Sequence, residues 1–205
     1  VDLSKALKQL RTDLEPLVPI AEPSWAAGVP LFLPVTLQKG EHAVEAGNRV
    51  ESLLFLTSGI ARYYYLDGDG REFNKSFSGR GQVLSSISSL VDGCPSPFSI
   101  QALTPSEGLE IRYRDFLKLT REYPDWERLR VRLLELLVIK KERREADFLL
   151  LSATERYRKF REEFAAIADA IPNYHIASYL GITEVALSRI RNRLGLTRVN
   201  AARHD

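Results

Sequence analysis

Asn173-Tyr174-His175-Ile176-Ala177-Ser178-Tyr179-Leu180-Gly181-Ile182-Thr183-Glu184-Val185-Ala186-Leu187-Ser188-Arg189-Ile190-Arg191-Asn192-Arg193-Leu194 is the stretch from which the rest of the chain can be read. Asn173 is placed to cap a short helix with Ile176, Ala177 and Leu180 on its inner face. Ala177 is small where a second helix must cross closely. Gly181, four residues later, permits the positive φ of a tight interhelical turn. Thr183 is placed to cap the second helix, whose inner face is Leu187, Ile190 and Leu194. At about 100° per residue the opposite face carries Val185, Ser188, Arg189 and Asn192, flanked by Glu184 and Arg193. An apolar back and an arginine-bearing front are what a reader of the DNA major groove needs. The competing reading is a plain helical hairpin. It is the weaker one, because the small residue, the step to glycine and the second cap are more specific than two amphipathic helices.

Working toward the N-terminus, Ser152-Ala153-Thr154-Glu155 is a capping box that starts a helix near residue 153. Its apolar stripe is Tyr157, Phe160, Phe164, Ile167 and Ile171, and Pro172 stops it. Leu151 and its neighbours then form a hinge. Before it, residues 126–139 carry two apolar stripes. One is Trp126, Leu129, Leu133, Leu136 and Leu137; the other is Val131, Leu134 and Val138. A surface helix needs one such face, so one is expected to pack on its own domain and the other on a second chain. A fully buried helix within a monomer is the alternative. The run from Lys140 to Glu145 continues as a solvated end.

From Leu31 to Arg112 the texture is short β-rich pieces between turn signals. Val35 to Leu37, Leu53 to Leu56, Ile60 to Leu66, Arg71 to Phe77, Ser99 to Leu103 and Gly108 to Arg112 read as strands. Asp67-Gly68-Asp69-Gly70 is a strong hairpin turn. Spacing of this kind predicts a compact antiparallel barrel or roll. Residues 4–18, with Leu7, Leu10, Leu14 and Leu17, predict one amphipathic helix in front of it. The fold class is therefore α+β: a β-roll over 1–124, a long dimerisation helix and hinge over 125–151, and a helical DNA-binding domain over 152–205.

Composition narrows the function. The 205 residues are 44% hydrophobic and 27% charged, as in a globular protein. No apolar run is long enough for a membrane helix, and no secretory leader opens the chain. The expectation is a cytoplasmic protein without a membrane partner. One cysteine, Cys94, and three scattered histidines, His42, His175 and His204, give no metal-ligand spacing, so neither a metal nor a cofactor is expected. No nucleophile–base or phosphate-loop pattern stands out, and the chain reads as non-enzymatic. A cupin-like enzyme would need a His/Glu cluster that His42 alone does not supply. The net charge of +2 hides an uneven distribution. Residues 1–124 hold 13 basic and 15 acidic side chains, 125–151 hold 7 and 6, and 152–205 hold 9 and 6. Basic character gathers at the helical end.

Taken with Leu149-Leu150-Leu151-Ser152-Ala153-Thr154-Glu155-Arg156-Tyr157, the segments Ile176–Thr183 and Leu187–Arg191 make the chain similar to Crp/Fnr-type transcription regulators over nearly its whole length. That resemblance implies an N-terminal cyclic-nucleotide-binding-like β-roll, a long dimerisation helix and a C-terminal helix-turn-helix. It implies a homodimer on a palindromic double-stranded operator, with RNA polymerase as a further partner. Arg189 would read guanine, for which a bidentate guanidinium suits O6 and N7. Glu184, Ser188, Asn192 and Arg193 would lie on the same face. Tyr174, His175 and Thr183, near helix starts, would position phosphates. Val185 stands where the family commonly has glutamate; it can meet a thymine methyl but cannot accept from cytosine, so the operator should differ from the archetype. Eleven residues follow Leu194, too few for a full wing hairpin, and the wing is expected to be reduced or absent. The dimer contacts would fall on Leu129, Leu133, Leu136, Leu137 and Lys140.

Cyclic-nucleotide binders of this fold use a Gly-Glu and an Arg-Ser/Thr pair to hold the ribose and the cyclic phosphate. The corresponding stretches here are Gly81–Ser89 and Pro97–Ala102. They place Ser85 or Ser86 at the glutamate position and Phe98 at the arginine position. Loss of the arginine removes the charge-assisted bonds that offset phosphate desolvation, so cyclic AMP is not expected to bind. Ser85, Ser86, Ser88, Ser89, Phe98 and Ser99 remain the candidate pocket for an unknown small-molecule effector; otherwise the serines form a polar turn. The alternative function is a cyclic-nucleotide- or other small-ligand-binding signalling module whose C-terminal helices contact protein rather than DNA. His42, beside a turn glutamate, is expected to face solvent.

Overall fold

The computed structural model describes residues 2–196. It parts into two compact units between Glu145 and Ala146. The division falls inside a long helix rather than on either side of it, so the dimerisation helix expected as a segment of its own is shared between the two.

The first unit opens with α1 (Leu3–Leu14), capped by the Asp2 carboxylate, which accepts from the amides of Ser4 and Lys5. The helix stops short of residue 18 because Pro16 has no N–H to continue the ladder, although Val18 is still buried. A short α2 (Glu22–Gly28) follows. The strands are β1 (Leu33–Leu37), β2 (His42–Val44), β3 (Ser52–Ser58), β4 (Ala61–Leu66), β5 (Glu72–Ser78) and β6 (Val83–Leu84). After α3 (Ile87–Asp92) come β7 (Ser99–Ala102) and β8 (Ser106–Arg112). They form two four-stranded antiparallel sheets, β1-β8-β3-β6 and β2-β7-β4-β5. The hairpin at Asp67–Gly70 forms as expected, with Leu66 opposite Glu72. The Asp67 carboxylate accepts from the amides of Asp69 and Arg71.

β3 is buried on both faces, and its period of two sorts its side chains. Leu54 and Leu56 join Leu37, Val44, Ala61, Leu84, Phe98, Ile100 and Ala102 in the core between the sheets. Leu53 and Phe55 point the other way, into a helical core with Leu10, Leu14, Trp25, Phe32, Phe116 and Trp126. At the β3–β4 turn Gly59 has φ +92°, and a Cβ there would lie 2.6 Å from the Ser106 backbone, so the turn demands glycine.

Two helices complete this unit. The first, α4 (Tyr113–Glu122), had no counterpart in the sequence reading; its exposed face is so polar that only Phe116 and Leu119 mark the buried one. The second, α5 (Pro124–Leu150), runs as one helix through the whole Lys140–Glu145 stretch. Trp126 anchors it: the indole donates to the Ser24 carbonyl at 2.7 Å and stacks on Trp25 at 5.9 Å. Leu129 is fully buried in the same core and Leu133 packs against it. The first part of the stripe expected at a dimer contact thus covers the chain's own helical core, and Leu129 is removed from the interface set, while Leu136 and Leu137 are half-buried and lie in neither core. Lys140 donates to the Phe77 carbonyl of β5 at 3.5 Å, also within the unit. The face left open is the other one, with Val131 and Val138 at 42% and 53% exposure.

Candidate functional site

The second unit builds its site on α6 (Ala153–Glu163), α7 (Asn173–Leu180) and α8 (Glu184–Arg193). The capping box forms: the Glu155 amide donates to the Ser152 hydroxyl at 3.4 Å, and the Ser152 amide to Glu155 at 2.9 Å. The Ser152 hydroxyl, 2.6 Å from the Glu155 carboxylate, and then the Ser152 amide hold that carboxyl below its ordinary range. α6 ends at Glu163 instead of running to Pro172, yet Tyr157, Phe160, Phe164 and Ile171 are all buried. Phe160 and Phe164 each lie 5.6 Å from the Tyr179 ring, which joins α6 to α7.

Asn173 does not cap α7. It is the first helical residue, and its side-chain oxygen accepts from Arg191 of α8 at 2.5 Å, tying the two helices together. Gly181 has φ +67° and closes α7; its amide donates to Ser178, and that of Ile182 reaches back to Ala177. This paired closure is the left-handed stop for which glycine is suited. A Cβ there would also meet Phe148 at 3.2 Å. The Thr183 hydroxyl accepts from the Ala186 amide at 3.2 Å, capping α8 as expected.

With Leu187 and Ile190 buried beneath it, α8 exposes Glu184, Val185, Ser188, Arg189, Asn192 and Arg193 together. Tyr174 is 53% exposed beside this hairpin. His175 is not available there: it is buried, with its ring 4.0 Å from that of Tyr174, and so drops out of the phosphate-contact set. Arg156 escaped the sequence reading. Its guanidinium donates to the carbonyls of Leu151 and Leu180 and lies over the Phe148 ring, closing the end of α7. A long-range clamp of this kind leaves no local signature. The wing expectation falls mostly on residues 197–205, which lie outside the described residues.

In the first unit the serine-rich stretch is not a simple polar turn. Ser85 and Ser86 lead from β6 into α3, which contains Ser88 and Ser89 and closes on Gly93. Most of these hydroxyls hold backbone. Ser85 donates to the Ser52 carbonyl, Ser89 accepts from the Val50 amide, and Ser99 accepts from the Ala46 amide. Ser86 is fully buried, with Ser88 Oγ 3.4 Å away. Phe98 is buried in the core between the sheets. In front of it stands Lys75 of β5, absent from the sequence reading, with Nζ 3.6 Å from the Phe98 centroid and 5.1 Å from that of Tyr65. Burial, and then the charges of Lys141 and Arg144, pull the Lys75 ammonium down to about 8.

A buried cation, Arg62, is held by Gln101 at 2.6–2.9 Å and by Glu72, and lies 4.0 Å over the Tyr64 ring. His42 is half-buried, with part of its ring in solvent, and bonds the Tyr64 hydroxyl at 2.8 Å. Among the described residues no group of three His, Cys, Asp or Glu side chains is arranged to hold a metal. No helix there is long and apolar enough to cross a membrane.

Comparison with known proteins agrees with this geometry. Residues 34–123 match the cyclic nucleotide-binding domain family. No curated protein matches the chain. Among solved structures, FixK2 from Bradyrhizobium japonicum aligns with a TM-score of 0.69 at 20% identity, over 84% of this chain and 90% of that one. The c-di-GMP-responsive global regulator CLP of Xanthomonas campestris aligns at 0.67 and 16% identity, over 90% and 96%. The catabolite activator protein of Thermus thermophilus aligns at 0.54 and 19% identity, over 89% and 88%. Residues 34–123 thus match the cyclic nucleotide-binding domain family, in a chain whose fold is similar to that of these three proteins.

Proposed function

We propose that the protein is a homodimeric, sequence-specific DNA-binding transcription regulator whose sensor pocket does not take cyclic AMP. The observation that carries this is the outer face of α8. Six polar or small apolar side chains, Glu184, Val185, Ser188, Arg189, Asn192 and Arg193, stand exposed on a helix whose other side is sealed by Leu187 and Ile190. The caps at Gly181 and Thr183 and the Arg191–Asn173 bond hold it at a fixed place on α7. A helix presented in this way inserts into a major groove and brings an arginine fork to guanine.

The sensor reading rests on Phe98 and the serines. A phenyl group stands where the cassette needs a cation, and the hydroxyls of Ser85, Ser89 and Ser99 are engaged with backbone. The second chain is supported by the open face of α5 around Val131, Leu134 and Val138, apolar side chains that a single copy leaves in contact with water. RNA polymerase would be a partner of the DNA-bound dimer.

A gel shift on a selected palindromic duplex tests the reading. Arg189→Ala should weaken binding by about 1–3 kcal/mol and relax preference at one base pair per half-site. Wild-type binding should fall steeply with salt. Failure of the wild type to bind any duplex would favour the protein-contact alternative for the C-terminal helices.

A further inference from the structure

Charges along α5 behave differently on the two sides of Val138. Before it they close on their own helix, three residues away: Arg128 with Asp125, Arg130 with Glu127, and Arg132 with Glu135. After it Lys141, Glu142 and Glu145 stand exposed. Among the described residues none of these three has an ion-pair partner in its own chain. Two of them also hold a definite place. Val131, Leu134 and Val138 make the open apolar stripe, stepping by three and then four residues, and Lys141 and Glu145 follow at the same three and four. All five therefore lie on one seam, with the 3.5-residue period along which two helices supercoil. Whatever covers the apolar part runs on over the charged part and must carry both signs there.

A second copy of α5, parallel and in register, carries them in the matching order. Knobs-into-holes packing then sets Glu145 against the partner's Lys141, and Lys141 between the partner's Glu142 and the partner's Glu145. Each charge also faces its own kind across the dyad, and the opposite charge one layer away offsets this. An antiparallel pair that kept Leu134 on the partner's Val138 would put Lys141 on the partner's Val131 and Glu145 on the partner's Glu127. Neither charge would then meet a counterion.

We propose that Lys141 and Glu145 make reciprocal ion pairs between two copies of the chain, an ionic layer that continues the apolar seam of Val131, Leu134 and Val138. This rests on the homodimer reading and names the residues that fix the direction and register of the pair. The apolar layers supply the attraction. The ionic layer discriminates among alignments, the use for which charged seam positions are best suited.

Charge reversal in the full-length chain tests this, with an affinity tag on one of two variants. Lys141→Glu or Glu145→Lys alone leaves only like charge at this layer, and each homodimer should weaken by about tenfold or more in sedimentation. Mixed in equal amounts, the two variants should form the heterodimer in preference to either homodimer. The chain carrying both changes regains opposite charges and should pair with itself about as tightly as the wild type. A folding defect would weaken every pairing alike and could not sort the chains, and an ion pair within one helix would not sort them either. A random distribution in the mixture, or a double variant as weak as the singles, would overturn the proposal. A dimeric wild type with either of those results sinks the ionic layer alone, whereas a wild type that stays monomeric sinks the homodimer reading beneath it.

Discussion

At the scale of single residues, much of the site depends on which side chains are covered. Arg189 was expected to read guanine and His175 to position phosphate, but one stands on the open face of α8 and the other is buried beside Tyr174. Lys75 shows the reverse case, a residue without local signature that the fold makes chemically distinctive. Its folded titration point, about 8, lies below the ordinary lysine value. The unfolded chain therefore holds a proton that the folded one has lost between pH 8 and the ordinary lysine range, and stability from this group rises with pH across that window. The penalty of the charged form is fully present below pH 8. Thermal unfolding of the wild type beside Lys75→Gln should thus show the variant's advantage at pH 7 shrinking toward pH 10. A constant difference across that range would mean that Lys75 is not held in an unfavourable charged state.

At the scale of elements, local signals were legible and long-range ones were not. The Ser152–Glu155 box, the Asp67–Gly70 hairpin, the Gly181 stop and the Thr183 cap all involve residues within a few positions of one another, so their chemistry can be read in the chain. α3 was hidden in a serine run because its stability comes from burial of Ser89 and Leu90 against neighbours. β6 has two residues, too few for any period. On α5 both apolar stripes were visible, but which one meets its own core depends on Trp126, whose partners Ser24 and Trp25 are about a hundred positions away. Three changes test these elements. Thr183→Ala should cost about 1 kcal/mol of second-unit stability, read by thermal unfolding, with weaker operator binding at unchanged base preference. Gly181→Ala should cost about 1–2 kcal/mol from the left-handed backbone alone, with more from contact against Phe148. Val138→Glu, on the open stripe, should leave the fold intact and shift sedimentation to the monomer.

At the scale of the whole molecule, the uneven charge seen along the chain has a physical use in the proposed account. The roll carries slightly more acidic than basic side chains, while residues 152–205 carry three more basic than acidic ones. Two copies would double the basic end that meets phosphate and leave the sensor units without attraction for DNA. Two-fold symmetry then sets the form of the target, because identical recognition helices read identical half-sites related by a dyad. Selection of bound duplexes from a random pool by the intact wild-type chain, followed by sequencing, tests this most directly. The account predicts enriched sequences that are inverted repeats, with half-site centres about 10–10.5 base pairs apart and a guanine in each half-site whose enrichment disappears with Arg189→Ala. A pool that remains random, or one enriched in sites without dyad symmetry, would contradict it.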